Sequence, residues 1–221
     1  RLNELKNRLE HERLWIEGDL ETGIKWKFIK CIGLSWSPTD AICIPFIGIG
    51  FSGGYWSLDE ETYIIHTLWQ VLTHKNARVR WQNGLFDAQY IYRHWHFIPR
   101  CDQDTMISQH TIFSDLPKKL SFQASLYSDN YIFWKDEGKT GEDVARTSRE
   151  EDEGWLYNCK DCIYTREVGE VELQIVEKMK LTGPHEFQQA MFWPVLYAMN
   201  RGLKVREDVS RELAKEIQEQ D

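Results

Sequence analysis

The sequence has no long apolar stretch and no excess of positive charge. Its hydrophobic runs fall well short of the ~20 residues that a membrane-spanning helix needs, so we expect no contact with a membrane. Lysine and arginine total 27 against 35 aspartates and glutamates, which gives a net charge of −8. This balance excludes a protein that holds nucleic acid by bulk positive charge, but it allows contact with phosphate through bound divalent metal ions.

Cysteine is scarce, and the sequence shows no secretion signal. The five cysteines are scattered and odd in number, which is typical of a protein from a reducing compartment. Cys159 and Cys162 form a lone CxxC that no second Cys/His pair at zinc spacing completes. We interpret them as two semi-buried thiols on a helix. The polar, helix-prone start is no signal peptide, and because it lacks an initiator Met we expect the chain to be part of something longer.

The order of hydrophobic patterns predicts an α/β chain. With 42% hydrophobic and 13% aromatic residues among 221, the chain can bury a sizeable core. Strand patterns occupy residues 14–21, 27–36, 41–46 and 77–81. Helical patterns occupy residues 57–74, 84–95, 104–113, 120–127, 151–180, 186–200 and 208–221. Residues 135–154 are highly charged and poor in aliphatic side chains, which predicts a mobile surface loop. Gly183 and Pro184 are expected to break the long helix.

Two carboxylates lie two residues apart on the first predicted strand, at Asp19 and Glu21. Residues i and i+2 of a strand point to the same face. Two like charges side by side are unfavourable unless something positive lies between them. Water at a strand end could solvate both, and a bound metal ion is the alternative.

Further acids occur on two predicted helices. Asp87 lies one turn into the helix that follows the strand at 77–81, where a helix-dipole role is the simpler explanation. Tyr157 and Asp161 are four residues apart, so they share one helix face. Cleavage of a phosphodiester by two divalent ions needs several carboxylates to hold the ions. A nearby phenol can orient the attacking water.

The ordered set resembles the proofreading 3′→5′ exonuclease domain of family A DNA polymerases, which belongs to the DEDD exonuclease superfamily in its tyrosine variant. The matching motifs are Asp19-Leu20-Glu21-Thr22, Asn83 through Asp87, and Tyr157 through Asp161. The other branch of the superfamily carries a histidine four or five residues before the last aspartate. Here those positions hold Tyr157 and Leu156, which favours the tyrosine variant.

The resemblance implies an α/β, RNase H-like domain over residues 1–183, with a mixed five-stranded sheet flanked by helices. Residues 184–221 would be the helical start of a truncated polymerase domain, the partner in cis. The implied reaction releases deoxynucleoside monophosphates from single-stranded DNA 3′ ends with two Mg²⁺ or Mn²⁺ ions. The implied location is the cytoplasm of a bacterial or phage-infected cell.

The resemblance also assigns roles to residues. The tighter ion would be held by Asp19, Glu21 and Asp161, and the looser one by Asp19 and Asp87. Tyr157 would position the water. The nucleic acid would be met by main-chain groups near Leu20 and Thr22 and by Asn83 and Phe86. Apart from the resemblance, Lys118 lies in a basic loop and could contact the penultimate phosphate, although a solvated loop is the simpler explanation.

Four other possibilities stand beside this reading. Glu17 shares a strand face with Asp19 and forms a competing acid pair, although Thr22 completes the motif only for Asp19 and Glu21. The domain could also be a catalytically silent module that binds single-stranded nucleic acid, but the complete acid set favours an enzyme. Trp134, beside Lys135, could stack on a base. A GxGxxG pattern at Gly48 follows a hairpin strand, so an oxidoreductase is remote.

Overall fold

The computed structural model describes residues 1–23, 25, 27–51, 53–129, 131–136 and 145–218. The part of the predicted loop at 137–144 therefore lies outside the described residues. Within the described ranges, no helix is both long and apolar enough to cross a membrane.

The core of the fold is a mixed five-stranded sheet. Its strands are β1 (Leu14–Thr22), β2 (Ile29–Ser35), β3 (Ala41–Pro45), β4 (Ala77–Trp81) and β5 (Gln103–Asp104), in the spatial order β3-β2-β1-β4-β5. The pairs β1–β2 and β2–β3 are antiparallel, and β1–β4 and β4–β5 are parallel. The expected α/β fold with a mixed sheet is therefore confirmed. The patterns did not reveal β5, because two residues show no alternation.

Helices cover both faces of the sheet. They are α1 (Leu2–Leu9), α2 (Leu58–Leu72), α3 (Gly84–Trp95), α4 (Thr105–Ile112), α5 (Leu120–Tyr127), α6 (Ser148–Lys178), α7 (Thr182–Ala190), α8 (Phe192–Arg201) and α9 (Glu207–Gln218). On one face, Ile16 and Leu20 of β1 join a core with Leu9 of α1 and Leu68 of α2. The other face of β1 packs against α6 and carries the acids of the predicted site. The alternation along β1 thus separates an apolar face from a chemical one.

The long helix α6 begins and ends earlier than predicted. Thr147 caps its start by accepting a hydrogen bond from the Glu150 main-chain N–H, so residues 148–154 are helical and not part of a loop. The chain leaves the helix near Lys180, which has a left-handed φ of 59°. Gly183 and Pro184 lie in the first turn of α7, where a missing N–H costs nothing. The predicted break at these two residues is therefore wrong.

The C-terminal helices differ in how they meet the domain. Phe192 and Leu196 of α8 are buried and pack against Ala88 of α3. Helix α9 has no buried residue. The boundary between residues 1–183 and 184–221 stays a prediction.

Candidate metal centre

Three carboxylates from two elements meet at one end of β1. Oxygen atoms of Asp19, Glu21 and Asp161 all lie within 4.8 Å of one another. We call these three residues the acid cluster. Asp19 and Glu21 point to the same face of β1 because they are two residues apart. Asp161 reaches them from α6, which crosses that face. Oxygen-only donors of this kind suit hard divalent cations such as Mg²⁺ and Mn²⁺.

Asp19 is oriented by a neighbour that the sequence did not single out. The amide of Asn158 donates hydrogen bonds to Asp19 Oδ2 at 2.7 Å and to the Asp19 main-chain oxygen at 3.2 Å. Asn158 is fully buried. Gly33 of β2 makes room for it, since a Cβ at that position would lie 2.4 Å from Asn158 Oδ1. The only sequence signal was its position beside Tyr157 in the late helical motif.

Asp87 is buried at the start of α3 and binds the backbone of β1. Its Oδ1 accepts a hydrogen bond of 2.9 Å from the main-chain N–H of Leu20. Strand β1 pairs with β4 only through Leu14–Glu17, so Leu20 lies beyond that parallel pairing. Its N–H is already used by Asp87 and is not available to a nucleotide. The expectation that main-chain groups near Leu20 and Thr22 meet the nucleic acid stays a prediction.

Another acid, Asp104, fixes the start of α3, and the sequence patterns do not predict this role. Asp104 accepts hydrogen bonds from the main-chain N–H of Asn83 at 3.1 Å and of Gly84 at 2.8 Å. Asn83 adopts a left-handed φ of 61°. These contacts set the direction of the first turn of α3 and therefore the position of Asp87. From the sequence, the helical pattern at 104–113 indicates only that a helix begins at Asp104.

Asp161 is held by two residues from the segment before α6. The ammonium group of Lys135 lies 2.6 Å from Asp161 Oδ2 and 2.8 Å from Oδ1, and 2.9 Å from the hydroxyl of Tyr157. The indole N–H of Trp134 also donates to Asp161 Oδ1. Trp134 is 1% exposed and stacks on Tyr164. The proposal that Trp134 stacks on a base is therefore wrong.

Burial and mutual repulsion disfavour the charged forms of the carboxylates in the cluster. Burial, followed by the charges of Asp161, Glu21 and Asp87, holds the pKa of Asp19 well above its usual range. Burial raises the pKa of Asp87 to about 8 and also raises the pKa of Asp161, although Lys135 opposes the latter. Burial and the charge of Asp161 raise the pKa of Tyr157 to about 12, so its hydroxyl stays protonated. A divalent ion would relieve the repulsion among these carboxylates.

Glu17, the competing acid, takes part in ion pairs with arginines and not in the acid cluster. It is fully buried and forms ion pairs with Arg80 at 2.8 Å and with Arg166 at 3.0 Å. Two arginines therefore occupy its two oxygens. The pair of Asp19 and Glu21, and not Glu17 with Asp19, joins Asp161.

The remaining predicted residues surround the cluster. Thr22 ends β1 just after an irregularity in the pairing with β2. Phe86 is 40% exposed and packs on Tyr90 with ring centroids 4.7 Å apart. The main-chain oxygen of Lys118 accepts a hydrogen bond of 2.8 Å from Gln82, which places its loop beside Asn83. The Lys118 ammonium turns back to the main-chain oxygen of Ser114.

Comparisons with known proteins show a shared fold. No family model matches the sequence, and no curated protein matches it significantly. NrnC of Brucella melitensis with bound Mg²⁺ matches with a TM-score of 0.60 and 15% identity, over 85% of this chain and 84% of that one. The same protein has been solved bound to pGG.

Two larger proteins match over nearly the whole chain. RNase D of Escherichia coli, an exoribonuclease involved in structured RNA processing, matches with a TM-score of 0.64 and 14% identity, over 97% of this chain and 52% of that one. The POL domain of Pol1 from M. smegmatis, in complex with DNA primer-template and dNTP, matches with a TM-score of 0.65 and 10% identity, over 99% of this chain and 34% of that one. At such identities the likeness shows the fold, which is the RNase H-like exonuclease fold.

Proposed function

We propose that this chain is a 3′→5′ exonuclease that uses two divalent ions, Mg²⁺ or Mn²⁺, to release deoxynucleoside monophosphates from single-stranded DNA 3′ ends. The observation that carries the proposal is the acid cluster, whose three carboxylates lie within 4.8 Å of one another. Tyr157 lies beside the cluster, because its hydroxyl and the Asp161 carboxylate contact the same Lys135 ammonium. The fold shared with NrnC and RNase D supports it. We propose DNA as the substrate because the motifs resemble those of the proofreading domain of family A DNA polymerases.

The acids have separable roles in this proposal. Asp19, Glu21 and Asp161 would hold one ion, and Asp19 and Asp87 would hold the other. When bound, such ions supply an activated water and stabilise the charge on the attacking and leaving oxygens. Asn158 fixes the Asp19 carboxylate, which is the ligand common to both sites. The Leu20 N–H fixes Asp87 in the same way.

Tyr157 is placed to orient the attacking water. A tyrosine hydroxyl offers one donor and accepting lone pairs. One lone pair accepts a hydrogen bond of 2.9 Å from Lys135, and the hydroxyl proton is donated to Asp161, which leaves a further lone pair to accept a hydrogen bond from water. Because its pKa is raised to about 12, the hydroxyl keeps its proton at neutral pH. Tyr157 therefore acts as a positioning group and not as a base.

The terminal nucleotide would lie beside the exposed ring of Phe86, near Asn83 and Thr22. Aromatic side chains next to a nucleic-acid path offer a stacking surface to any base. The active end must be separated from its complementary strand to reach the acids, and unpairing costs a few kcal/mol. Single-stranded ends should therefore be trimmed faster than paired ends.

The wider role is proofreading for a family A DNA polymerase, with residues 184–221 leading into the polymerase domain. The match to Pol1 supports this proposal, because it runs over 99% of this chain but only 34% of that one. The exposed apolar side chains of α9, among them Leu213 and Ile217, suit a helix that a further domain covers. We place the protein in the cytoplasm of a bacterial or phage-infected cell.

A 5′-labelled 20-mer of single-stranded DNA, its paired form and an RNA of the same sequence test the proposal together. We expect a ladder of products shortened from the 3′ end with Mg²⁺ or Mn²⁺, fastest for single-stranded DNA, and no products in excess EDTA. A faster reaction on RNA would assign the chain to the ribonuclease role that RNase D represents. Binding without cleavage under all conditions would leave a silent binding module.

A further inference from the structure

Lys135 binds the same carboxylate that we assign to a metal ion. Its ammonium group contacts both oxygens of Asp161, at 2.6 and 2.8 Å, and the hydroxyl of Tyr157 at 2.9 Å. An ammonium group has three N–H donors, so these contacts use all of them. The side chain of Lys135 is 21% exposed and that of Asp161 is 6% exposed. Water therefore screens this ion pair far less than it screens a surface pair.

The segment that carries Lys135 is fastened to α6 by its neighbours. We call residues 131–136 the strap. Trp134 stacks on Tyr164 with ring centroids 3.9 Å apart, and its indole N–H donates to Asp161. The main-chain N–H of Ile132 donates to the Tyr164 hydroxyl at 3.2 Å. The strap thus docks partly on a residue of the metal centre itself, which links its position to whatever binds Asp161.

The positive charge of Lys135 offsets part of the repulsion within the acid cluster. Asp19 lies in the fields of Asp161, Glu21 and Asp87, all of the same sign, and Lys135 is the cation that offsets them. A divalent ion on Asp161 would offset the same repulsion. The two cations would then share one carboxylate in a shielded site, where like charges repel strongly. Lys135 and the ion should therefore exclude each other from Asp161.

We propose that Lys135 is a built-in counter-ion of the acid cluster, which competes with the divalent ion for Asp161. The inference rests on the proposed function, because it takes the acid cluster to be a metal centre. Metal binding then requires Lys135 to release Asp161. The free-energy cost of breaking this ion pair lowers the affinity of the site for the metal ion. The coupling is reciprocal, so a bound ion loosens the docking of Lys135 by the same factor.

Mn²⁺ binding to the full chain, stripped with a chelator and free of nucleic acid, tests this coupling by calorimetry. Lys135→Met keeps an unbranched side chain that is one atom shorter and removes its charge. We expect it to bind the first Mn²⁺ at least about tenfold more tightly than the wild type, within the usual range for coupled sites. Lys135→Arg keeps the charge and should bind no more tightly than the wild type. Lys178→Met removes an exposed charge at the far end of α6 and should change nothing.

The melting temperature gives a second readout without activity. In chelator, Lys135→Met should melt below the wild type because the cluster has lost its counter-ion, and saturating Mn²⁺ should remove the difference. If this variant does not fold, Lys135→Gln replaces it in both measurements. Equal or weaker Mn²⁺ binding by the neutral variants would overturn the inference while wild-type cleavage could still stand. A wild type that binds no Mn²⁺ would remove both the inference and the proposed function.

Discussion

Asn158 of α6 donates a hydrogen bond of 2.7 Å to the carboxylate of Asp19 on β1. The same amide also binds the Asp19 main-chain oxygen, so the side chain spans the helix and the strand. Partners that orient a metal ligand typically contribute 10- to 100-fold to metal affinity or activity, as a rough range. Asn158 therefore belongs to the machinery of the site although it is not an acid.

Asn158→Ala should lower the cleavage rate on single-stranded DNA by about 10- to 100-fold, because Asp19 loses the group that orients it. Mn²⁺ affinity should fall with the rate. Asn7→Ala, an exposed change on α1, is the control and should alter neither quantity. Unchanged Mn²⁺ affinity and rate in Asn158→Ala would show that Asp19 needs no partner.

Gly169→Ala should destabilise the protein by about 1–3 kcal/mol, the usual cost of overpacking a core. A Cβ at this position would lie 2.3 Å from Arg80, whose side chain is fully buried against Glu17. Gly154→Ala, in the same helix, meets nothing within 4 Å. In this control variant, the free energy of unfolding should rise by about 0.5–1 kcal/mol, because alanine has a higher helix propensity than glycine. Urea unfolding of both variants measures the contrast, and a stabilised Gly169→Ala would contradict the packing seen here.

The metal-free protein should lose stability as the pH rises from about 4 to about 8. Burial raises the pKa of Asp87 to about 8 in the folded protein, against about 3.9 when unfolded. Between these values the folded chain binds more protons than the unfolded chain, so the free energy of unfolding falls with rising pH. The raised pKa of Asp19 acts in the same direction.

Urea unfolding in chelator at pH 5, 6, 7 and 8 measures this trend. Each such carboxyl can contribute up to about 1.4 kcal/mol per pH unit. Asp87→Asn should give a shallower decline, and Mg²⁺ should flatten the decline in the wild type because it binds the ionised carboxylates. Stability that rises between pH 5 and pH 8 in chelator would contradict the assignment.

Asp19→Asn should cost more activity than Tyr157→Phe. The first change removes a ligand common to both ion sites, and we expect a loss of about 10³-fold or more. The second removes one hydroxyl that orients water and leaves every carboxylate in place, so the loss should be about 10- to 100-fold. Single-turnover cleavage of labelled DNA compares them. Equal losses would refute the positioning role of Tyr157.

Much of the site can be predicted from residue spacing, because spacing determines which side chains share a face of a strand or helix. The two-residue spacing of Asp19 and Glu21 and the four-residue spacing of Tyr157 and Asp161 each define one face of one element. The sheet and most helices follow from periodicity in the same way. The structure brings together Asp19, Glu21 and Asp161, while Asp87, the fourth acid of the motifs, lies outside that group, and the roles of all four stay a prediction.

The missed features depend on contacts between distant parts of the chain or on unusual backbone. Lys135 begins a stretch whose composition predicts a loop, and only the fold reveals its contact with Asp161. Asp104 acts on the backbone of α3 from 20 residues away. The end of α6 is set by a left-handed lysine, Lys180, where glycine or asparagine is the usual signal.

Crystals soaked in Mn²⁺ and measured at a wavelength where manganese scatters anomalously give the most direct test of the metal centre. We expect two anomalous peaks between β1 and α6, one in contact with Asp19, Glu21 and Asp161, and the other with Asp19 on the side of Asp87. In Asp19→Asn crystals both peaks should weaken or vanish. Soaks at millimolar Mn²⁺ that show no peak at the acid cluster would contradict the assignment of this site as a two-metal nuclease centre.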